Sequence, residues 1–422
     1  MARHDRPSPR PLFVTARHVI VDPPTVIERG AVSVTGGKVA AVGPAETLRP
    51  ARGARRIELG DAILHPGFIN AHCHLELSFL KGRMLVRAPF TDWIRELVAR
   101  RGAASPAMAA NGIREGAARL IATGTSTVGD IATTPYAATL LARCGLRAVV
   151  YHEVTGFDPA RARERFTNLK ARLGAAPAAP LMTHGVSPHA VYSVSPELME
   201  LAARHAWGRN LPLAIHLAET PEEEEFSRRG VGPFRALLEE MGLYAKGREP
   251  GARPALAAAR SGALRGALAI HMNHPSRGDL ALLAREGAAV ALCPNSNAWF
   301  GRDAGAHPLP RLLERGVTVA LGTDSLASNT DIDLRAEARA VLRAFPRLSP
   351  EQVFAMMTVN GARALGLPGG TGTLRPGAPF DAAVTRARVK RGASPLLAII
   401  GSSRPTEWLW VEGRAVRRGG ES

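Results

Sequence analysis

The chain has 422 residues, of which 45% are hydrophobic, and this composition excludes an intrinsically disordered or collagen-like protein. Its length exceeds the roughly 250–300 residues at which single hydrophobic cores stop growing, so we expect one large domain and a smaller one. The 54 lysine and arginine residues outnumber the 37 acidic residues, giving a net charge of +17, but they are mostly scattered arginines without a basic run, so we predict no nucleic-acid partner.

The N-terminus carries positive charge without a sustained apolar region or a small-residue cleavage site, so it does not match a signal peptide. No apolar stretch approaches the roughly 20 residues that span a bilayer. The chain has three cysteines, Cys73, Cys144 and Cys293. This number is small and odd, which argues against a disulfide framework and indicates a reducing compartment. We therefore expect a cytoplasmic protein with no membrane partner.

Short β-strands are predicted at both ends of the chain. Residues 31–35 and 38–42 are rich in β-branched or alternating apolar residues, and they flank a Gly-Gly pair that indicates a hairpin. Residues 382–385 and 408–416 show similar patterns near the C-terminus. Because the two β-rich ends surround a different middle, we predict that they form one small β-sandwich-like domain. The predicted division is residues 1–62 and 372–422 for this domain and 63–371 for the other.

The middle of the chain alternates short apolar runs with longer helical patterns. Eight runs are predicted to be strands: residues 63–74, 126–131, 147–154, 181–186, 211–218, 267–271, 288–293 and 317–322. Three intervening segments are predicted to be helices: 196–205, 232–241 and 334–344. This alternation predicts an α/β fold, a (β/α)8 TIM barrel, with a doubly wound sheet as the alternative. Residues 247–266 are predicted to be an inserted surface loop.

Ionisable side chains stand where several predicted strands end. His72 and His74 are two residues apart, so they point to the same face of the first barrel strand, at the catalytic end of such barrels. A histidine pair alone is equally typical of packing. The fifth run, however, carries His216 near its end, the sixth ends at His271, and Asp324 follows the eighth. Because unpaired buried histidine or aspartate is costly, these strand ends indicate one metal ion, held by His72, His74, His216 and Asp324.

Four motifs, in chain order, resemble those of the amidohydrolase superfamily, in its branch of cytosine deaminases, adenosine-type deaminases and chlorohydrolases. They are PGFINAHCHLE at 66–76, IHLAET at 215–220, the histidine that ends the sixth run and LGTDSLASN at 321–329. The flanking β segments also match the composite β domain of that superfamily. The resemblance therefore covers nearly the whole chain, and it implies a metal-dependent aminohydrolase that acts on cyclic amidine C–N bonds.

The resemblance implies a role for each matching residue. It makes four of them metal ligands: His72, His74, His216 and Asp324. Asp324 would also accept a proton, Glu219 would be the acid/base carboxylate at a substrate ring nitrogen, and His271 would orient the attacking water. Glu219 stands three residues after His216, which puts it on the opposite strand face unless the chain has turned by then.

One metal ion is favoured over two. Binuclear relatives bridge their metals with a carboxylated lysine on the fourth strand, and that run, LMTHGV at 181–186, has no lysine. The ligand types suit both zinc and iron. We therefore expect one divalent ion, Zn or Fe, as the cofactor.

The resemblance also reaches the substrate. HLELSFLKG at 74–82 and FTDWIREL at 90–97 resemble the aminodeoxyfutalosine deaminase group of menaquinone biosynthesis. This implies hydrolytic deamination of a 6-aminopurine nucleoside by a metal-activated water. The alternatives are an S-adenosylhomocysteine/methylthioadenosine deaminase, whose tryptophan-rich segment is not recognisable here, and a chlorohydrolase or deaminase of another heterocycle. A basic nucleic-acid-binding protein on an enzyme scaffold is the alternative from another class.

Three residues are predicted to bind the nucleoside. His189 in SPHAVY at 187–192 matches a family histidine that contacts substrate, although Val191 stands where a proline is usual. Glu219 would contact the ring, and Arg87, in the loop after the first barrel strand, would pair with the benzoate carboxylate of the substrate. Glu153 either faces the site or is a core carboxylate, and Glu76 either contacts substrate or holds a loop. Homodimer formation is compatible with this interpretation.

Overall fold

The structure, a computed structural model, describes residues 9–244 and 251–418. Its strands are β1 (Leu12–Asp22), β2 (Thr25–Thr35), β3 (Lys38–Pro44), β4 (Arg55–Glu58), β5 (Ile63–Pro66), β6 (Phe68–Cys73), β7 (Thr125–Ala132), β8 (Arg147–Val154), β9 (Met182–Pro188), β10 (Ala214–Leu217), β11 (Leu268–His271), β12 (Ala289–Leu292), β13 (Val319–Leu321), β14 (Ala382–Thr385), β15 (Leu409–Val411) and β16 (Arg414–Arg417). Its α-helices are α1 (Phe90–Ala103), α2 (Pro106–Ala122), α3 (Ala137–Arg143), α4 (Ala162–Ala175), α5 (Pro196–Gly208), α6 (Pro221–Arg229), α7 (Pro233–Glu240), α8 (Pro254–Arg260), α9 (Arg277–Glu286), α10 (Pro294–Trp299), α11 (Leu309–Glu314), α12 (Leu334–Ala344), α13 (Pro350–Met357), α14 (Val359–Ala364) and α15 (Pro395–Gly401). Short 3₁₀ helices cover Leu75–Leu80, Pro159–Arg161 and Ala304–Ala306.

Strands β6 to β13 form a closed parallel barrel. They pair in two sets of four, β6-β7-β8-β9 and β10-β11-β12-β13. The N–H of Val186 donates to the carbonyl of Pro212 at 2.9 Å and joins the sets on one side, and the N–H of Thr323 donates to the carbonyl of His72 at 3.0 Å on the other. Every residue of β7 and β8 is buried, as expected of strands covered on both faces. The predicted (β/α)8 arrangement is therefore present.

The first predicted barrel strand, residues 63–74, is in fact two strands in different sheets. Strand β5 pairs with β1 and β14, whereas β6 pairs with β7 in the barrel. The chain crosses between the sheets at Gly67, where a Cβ atom would clash with the side chain of Ser126. The prediction missed this division because the apolar run continues through the glycine. The revised prediction puts the domain boundary at Gly67 instead of residue 62.

The strands from both chain ends share one sheet. Its order is β16-β15-β14-β5-β1-β2-β3, with β4 beside β1. The predicted hairpin joins β2 and β3 through Gly36 and Gly37, whose φ angles of 59° and 78° suit a primed turn. The predicted run 408–416 is two strands, since the chain turns at Gly413, with a φ of 72°. The outermost residues of the predicted domain lie outside the described part of the chain: 1–8 and 419–422.

The predicted helices are present as α5, α7 and α12, and α12 has the predicted bounds. Helix α5 begins where Ser195 accepts a hydrogen bond from the N–H of Leu198 and Pro196 occupies the first turn, a common way to start a helix. Among the described residues, no helix combines the length and apolar character needed to cross a membrane.

The predicted loop at 247–266 contains a helix, α8, and the loop prediction is wrong there. Pro254 supplies the first turn, and Ala255 and Ala258, three residues apart, are fully buried on one face. The prediction weighed the Gly, Pro and Arg content of the segment and missed this short alanine stripe. Residues 247–250 lie outside the described part of the chain.

His65 on β5 predicts acid sensitivity of the fold. Its ring is fully buried, Nδ1 lies 2.8 Å from the carbonyl of Pro66, and Nε2 lies 2.9 Å from Oγ1 of Thr385. Burial lowers the pKa of His65 to about 4. Since the unfolded chain binds this proton near pH 6.5, the free energy of unfolding should fall between pH 6.5 and about 4, by up to about 1.4 kcal/mol per pH unit.

A His65→Gln variant, whose amide can replace both hydrogen bonds, should show a shallower loss of stability in that range. Urea unfolding at several pH values from 4.5 to 7.5 measures the two slopes. Above pH 7 the slopes should coincide, and coincidence below pH 6 as well would contradict the prediction.

Candidate active site

Four metal-type side chains meet at the carboxyl ends of the barrel strands. His72 lies on β6, His74 follows β6, His216 lies on β10, and Asp324 follows β13. The two Nε2 atoms of His74 and His216 are 3.2 Å apart. The Oδ1 atom of Asp324 lies 3.6 Å from Nε2 of His72 and 3.7 Å from Nε2 of His74. The structure therefore brings together all four residues that the sequence predicted as ligands.

The state of these groups fits a bound cation. Both ring nitrogens of His72 are buried and have no hydrogen-bond partner among the described residues. Burial, together with neighbouring histidines, holds the pKa of His74 and of His216 well below the ordinary value. The neutral imidazole rings direct nitrogen lone pairs toward one another, and a bound cation would stabilise this arrangement. Three imidazoles and one carboxylate form a donor set that suits zinc or iron.

The carboxylate of Asp324 is held in a fixed orientation. Its Oδ2 accepts hydrogen bonds from the hydroxyls of Ser296 at 2.7 Å and Ser328 at 2.8 Å, and its Oδ1 accepts from the N–H of Ser325 at 2.8 Å. Burial alone would raise the pKa of Asp324, but the adjacent imidazole of His72, with Nε2 at 3.6 Å from Oδ1, holds it well below the usual value. The carboxylate is therefore ionised, with Oδ1 toward the imidazoles.

His216 is oriented through the opposite edge of its ring. Its Nδ1 lies 3.3 Å from the carbonyl of His189, so this nitrogen donates and Nε2 is left with a free lone pair toward His74. The backbone N–H of His216 donates to the same carbonyl at 2.8 Å. The loop after β9 thus fixes the ring on β10.

Glu219 reaches the site because the chain turns before it. Strand β10 ends at Leu217, and Ala218 has a φ of 49°, in the left-handed region. The carboxylate of Glu219 is 4% exposed, with Oε2 lying 3.6 Å from Nε2 of His271 and Oε1 lying 3.7 Å from Nη1 of Arg302. Burial raises the pKa of Glu219 to about 7, against the lowering effect of Arg302. This turn explains how Glu219 reaches the site although it stands three residues after His216, which would place it on the opposite face of a continuous strand.

His271 completes the cluster. Its ring centroid lies 5.7 Å from that of His72 and 5.5 Å from that of His216. It has a φ of 74° at the end of β11, a strained conformation of the kind that concentrates at functional sites. Burial lowers the pKa of His271 to about 4, so the imidazole is neutral at pH 7.

These groups open into one cavity of about 310 Å³. His74, His216, His271, Asp324 and Glu219 belong to its polar lining. Much of the remaining wall is apolar and comes from α1, α7 and the loops beside them: Phe90, Trp93, Leu97, Phe234, Leu237 and Phe300. Such a cavity suits a small molecule with a polar reacting end and an apolar or aromatic body.

The structure places only some of the predicted substrate-binding residues at the cavity. His189 lines the cavity, and its Nδ1 lies 2.6 Å from the hydroxyl of Ser193. Arg87 is exposed and is not among the residues that line this cavity, so its contact with the substrate stays a prediction. The N–H of Arg87 donates to the carbonyl of Trp299 at 2.9 Å. Arg101 and Arg165, which the sequence did not single out, line the cavity instead.

Two further carboxylates have distinct surroundings. Glu76 accepts hydrogen bonds from the N–H groups of Thr133 and Thr134 at 3.1 and 3.2 Å, so it holds the loop after β7. Glu153, at the end of β8, lines the cavity and is 7% exposed. Its Oε1 has no hydrogen-bond partner in the described structure, and burial raises its pKa to about 7.

Known proteins of similar sequence include two kinds of deaminase. The aminodeoxyfutalosine deaminase of Deinococcus radiodurans is 36% identical over 365 residues, which cover 82% of this chain and 84% of that protein. A 5-methylthioadenosine/S-adenosylhomocysteine deaminase of Nitratidesulfovibrio vulgaris (strain Miyazaki F) is 35% identical over 380 residues, 85% of this chain and 80% of that protein.

Solved structures confirm the fold class. The aminofutalosine deaminase of Helicobacter pylori in complex with methylthio-coformycin superposes with a TM-score of 0.84 at 22% identity, over 96% of this chain and 99% of that one. An adenosine deaminase of Xanthomonas campestris with bound zinc superposes with a TM-score of 0.80 at 24% identity, over 98% and 94%. The model of the amidohydrolase family matches residues 63–416, and the chain therefore belongs to this family.

Proposed function

We propose that this chain catalyses the hydrolytic deamination of a 6-aminopurine nucleoside, with aminodeoxyfutalosine of the menaquinone pathway as the preferred substrate. The observation that carries the proposal is the meeting of the four metal-type residues with Glu219 and His271 at the carboxyl ends of the barrel strands, where all of these residues except His72 line one cavity. The similar deaminases of Deinococcus radiodurans and Nitratidesulfovibrio vulgaris support the choice of a nucleoside. Cytoplasmic location and homodimer formation stay predictions, as does the absence of nucleic-acid and membrane partners.

The proposed cofactor is one divalent ion, zinc or alternatively iron. The residues that would hold it are His72, His74, His216 and Asp324. A bound divalent ion lowers the pKa of a coordinated water from about 15.7 toward 7. Zinc is the first choice because an adenosine deaminase of the same fold contains it.

The remaining chemistry is proton transfer by residues of the chain. Displacement of an exocyclic amine needs a proton at the adjacent ring nitrogen and another on the departing ammonia. Glu219, with a pKa near 7, can hold a proton at neutral pH and donate it to the ring nitrogen. Asp324 is ionised and can accept the proton of the attacking water, and neutral His271 can donate a hydrogen bond to the oxygen that attacks.

Arg165 is the proposed partner of a substrate carboxylate. We prefer it to Arg87 in that role, because it lines the cavity and its buried Nε has no hydrogen-bond partner among the described residues. Arg101 is already engaged, with Nη2 lying 2.6 Å from Oγ1 of Thr133 and 3.4 Å from Oε1 of Glu76. A guanidinium at a cavity wall whose Nε lacks a hydrogen-bond partner favours an anionic substrate.

Turnover of four adenosine derivatives tests this proposal. Aminodeoxyfutalosine and S-adenosylhomocysteine carry a carboxylate, whereas methylthioadenosine and adenosine do not. We expect the highest kcat/KM with aminodeoxyfutalosine. An Arg165→Ala variant should lower kcat/KM about 10- to 100-fold for the two carboxylates and leave the neutral pair within about threefold, because a charged hydrogen bond is lost. Exposed Arg163 on the same helix gives the matched control, Arg163→Ala.

Other outcomes would decide between the alternatives. A preference for S-adenosylhomocysteine would support the second candidate, which the relative from Nitratidesulfovibrio vulgaris favours. An equal loss on all four substrates in the Arg165→Ala variant would contradict the role of this residue. Turnover of chlorotriazines with none of any adenosine derivative would overturn nucleoside deamination.

A further inference from the structure

Glu223 contacts the catalytic turn without lining the cavity. It lies on α6, four residues after Glu219, and is 1% exposed. Its Oε1 accepts the N–H of Ala218 at 3.1 Å, and its Oε2 accepts the N–H of Glu219 at 2.8 Å. One buried side chain therefore binds two consecutive backbone N–H groups at the point where the chain leaves the barrel strand.

These hydrogen bonds stabilise a conformation that the backbone disfavours. Ala218 has a φ of 49°, in the left-handed region that is unfavourable for a residue with a Cβ. An extended Ala218 would continue β10 and send Glu219 away from the site. Since both N–H groups point at Glu223 only when the chain turns, the carboxylate favours the turned form.

The carbonyl groups of the turn are also bound. Ala218 accepts a hydrogen bond from the N–H of His274 at 2.9 Å, and Glu219 accepts one from the amide of Asn273 at 3.1 Å. Asn273 is itself fixed by reciprocal amide hydrogen bonds with Asn297, of 2.8 and 2.9 Å. Every backbone polar group of the two residues thus has a partner, and Glu223 supplies two of the four.

We propose that Glu223 is a positioning residue: its two carboxylate oxygens hold the left-handed turn at Ala218 and so aim the carboxylate of Glu219 at the cavity. This inference rests on the proposed function, in which Glu219 transfers a proton. Metal binding, and substrate contacts other than the one from Glu219 to the ring, depend on other side chains. Loss of Glu223 should therefore slow the chemical step more than it weakens substrate binding or metal binding.

The test is a Glu223→Gln variant of the full chain. Glutamine has one acceptor oxygen, and its NH₂ group faces the second N–H, so only one of the two hydrogen bonds can form. We expect kcat for the best adenosine derivative to fall about 30-fold, since misplacement by about 1 Å can cost 100-fold. KM should stay within about threefold, and metal content should stay at the wild-type level. Exposed Glu225 on the same helix provides the control, Glu225→Gln.

A crystal structure of the variant gives a readout that does not depend on activity. Ala218 should leave the left-handed region, and the carboxylate of Glu219 should move beyond its present 3.6 Å from Nε2 of His271. An unmoved Glu219, or a kcat within threefold of the wild type, would overturn the inference. If the wild type deaminates nothing but Glu219 moves in the variant, the positioning role stands and only the proposed function fails.

Asn273→Ala provides a second route should the Glu223→Gln chain not fold. It removes the donor to the carbonyl of Glu219, and we expect kcat to fall about fivefold with KM unchanged. An unchanged kcat in this variant would contradict the idea that bonds to the turn position Glu219.

Discussion

A His72→Ala variant is expected to lose its bound metal and at least about 10⁴-fold of kcat/KM, the scale seen when one member of a catalytic unit is removed. The side chain is fully buried, and both of its ring nitrogens lack a hydrogen-bond partner in the described structure. The folded chain thus leaves this imidazole unsatisfied unless a cation takes a lone pair. Alanine removes that ligand and leaves a void in its place.

The measurement pairs metal analysis of the purified variant with turnover of the best adenosine derivative. His205→Ala is the control, because His205 lies on α5, outside the residues that line the cavity. It should keep wild-type metal content and activity. A His72→Ala chain that retains one equivalent of metal and turns over normally would refute the assigned site.

The barrel was predictable because its strands are covered on both faces. Such strands read as continuous apolar runs, so β7, β8 and the four strands from β10 to β13 were located within a few residues. For the same reason the sequence did not predict that the chain crosses between sheets at Gly67. A continuous apolar run has the same pattern whether it lies in one sheet or is divided between two. Pairing partners, which separate β5 from β6, are distant in sequence.

The metal-type cluster was predictable for a related reason. The carboxyl ends of barrel strands converge, so side chains at the ends of separate strands must lie near one another. This argument predicts the positions of His72 and Asp324 but not those of groups on helices and loops. The positions of the Ser296 and Ser328 hydroxyls, and of the cavity-lining Arg101 and Arg165, depend on how α1, α4, α10 and the loops pack over the barrel. Local sequence patterns do not specify this packing.

A Glu219→Gln variant is expected to keep its metal and its substrate affinity while kcat falls about 10³-fold, within the range that general acid–base catalysis contributes. Glutamine has nearly the same shape but cannot hold or release the proton. In the wild type, burial raises the pKa of Glu219 to about 7. Since the protonated acid is the donor, activity should be fully present below that pKa and decline as pH rises through about 7. The variant should lack this decline.

Steady-state rates from pH 5.5 to 9 measure both effects, and Glu222→Gln, a change of a partly exposed residue on α6, serves as the control. The comparison with His72→Ala separates two kinds of loss. One variant removes the ion and everything that depends on it, whereas the other leaves the ion in place and removes only a proton donor. A Glu219→Gln chain that loses metal would make Glu219 a ligand. A Glu219→Gln chain that retains the wild-type rate would assign the proton transfer to another group. Glu153 is then the first candidate, because it is also a carboxyl group at the cavity wall with a pKa of about 7.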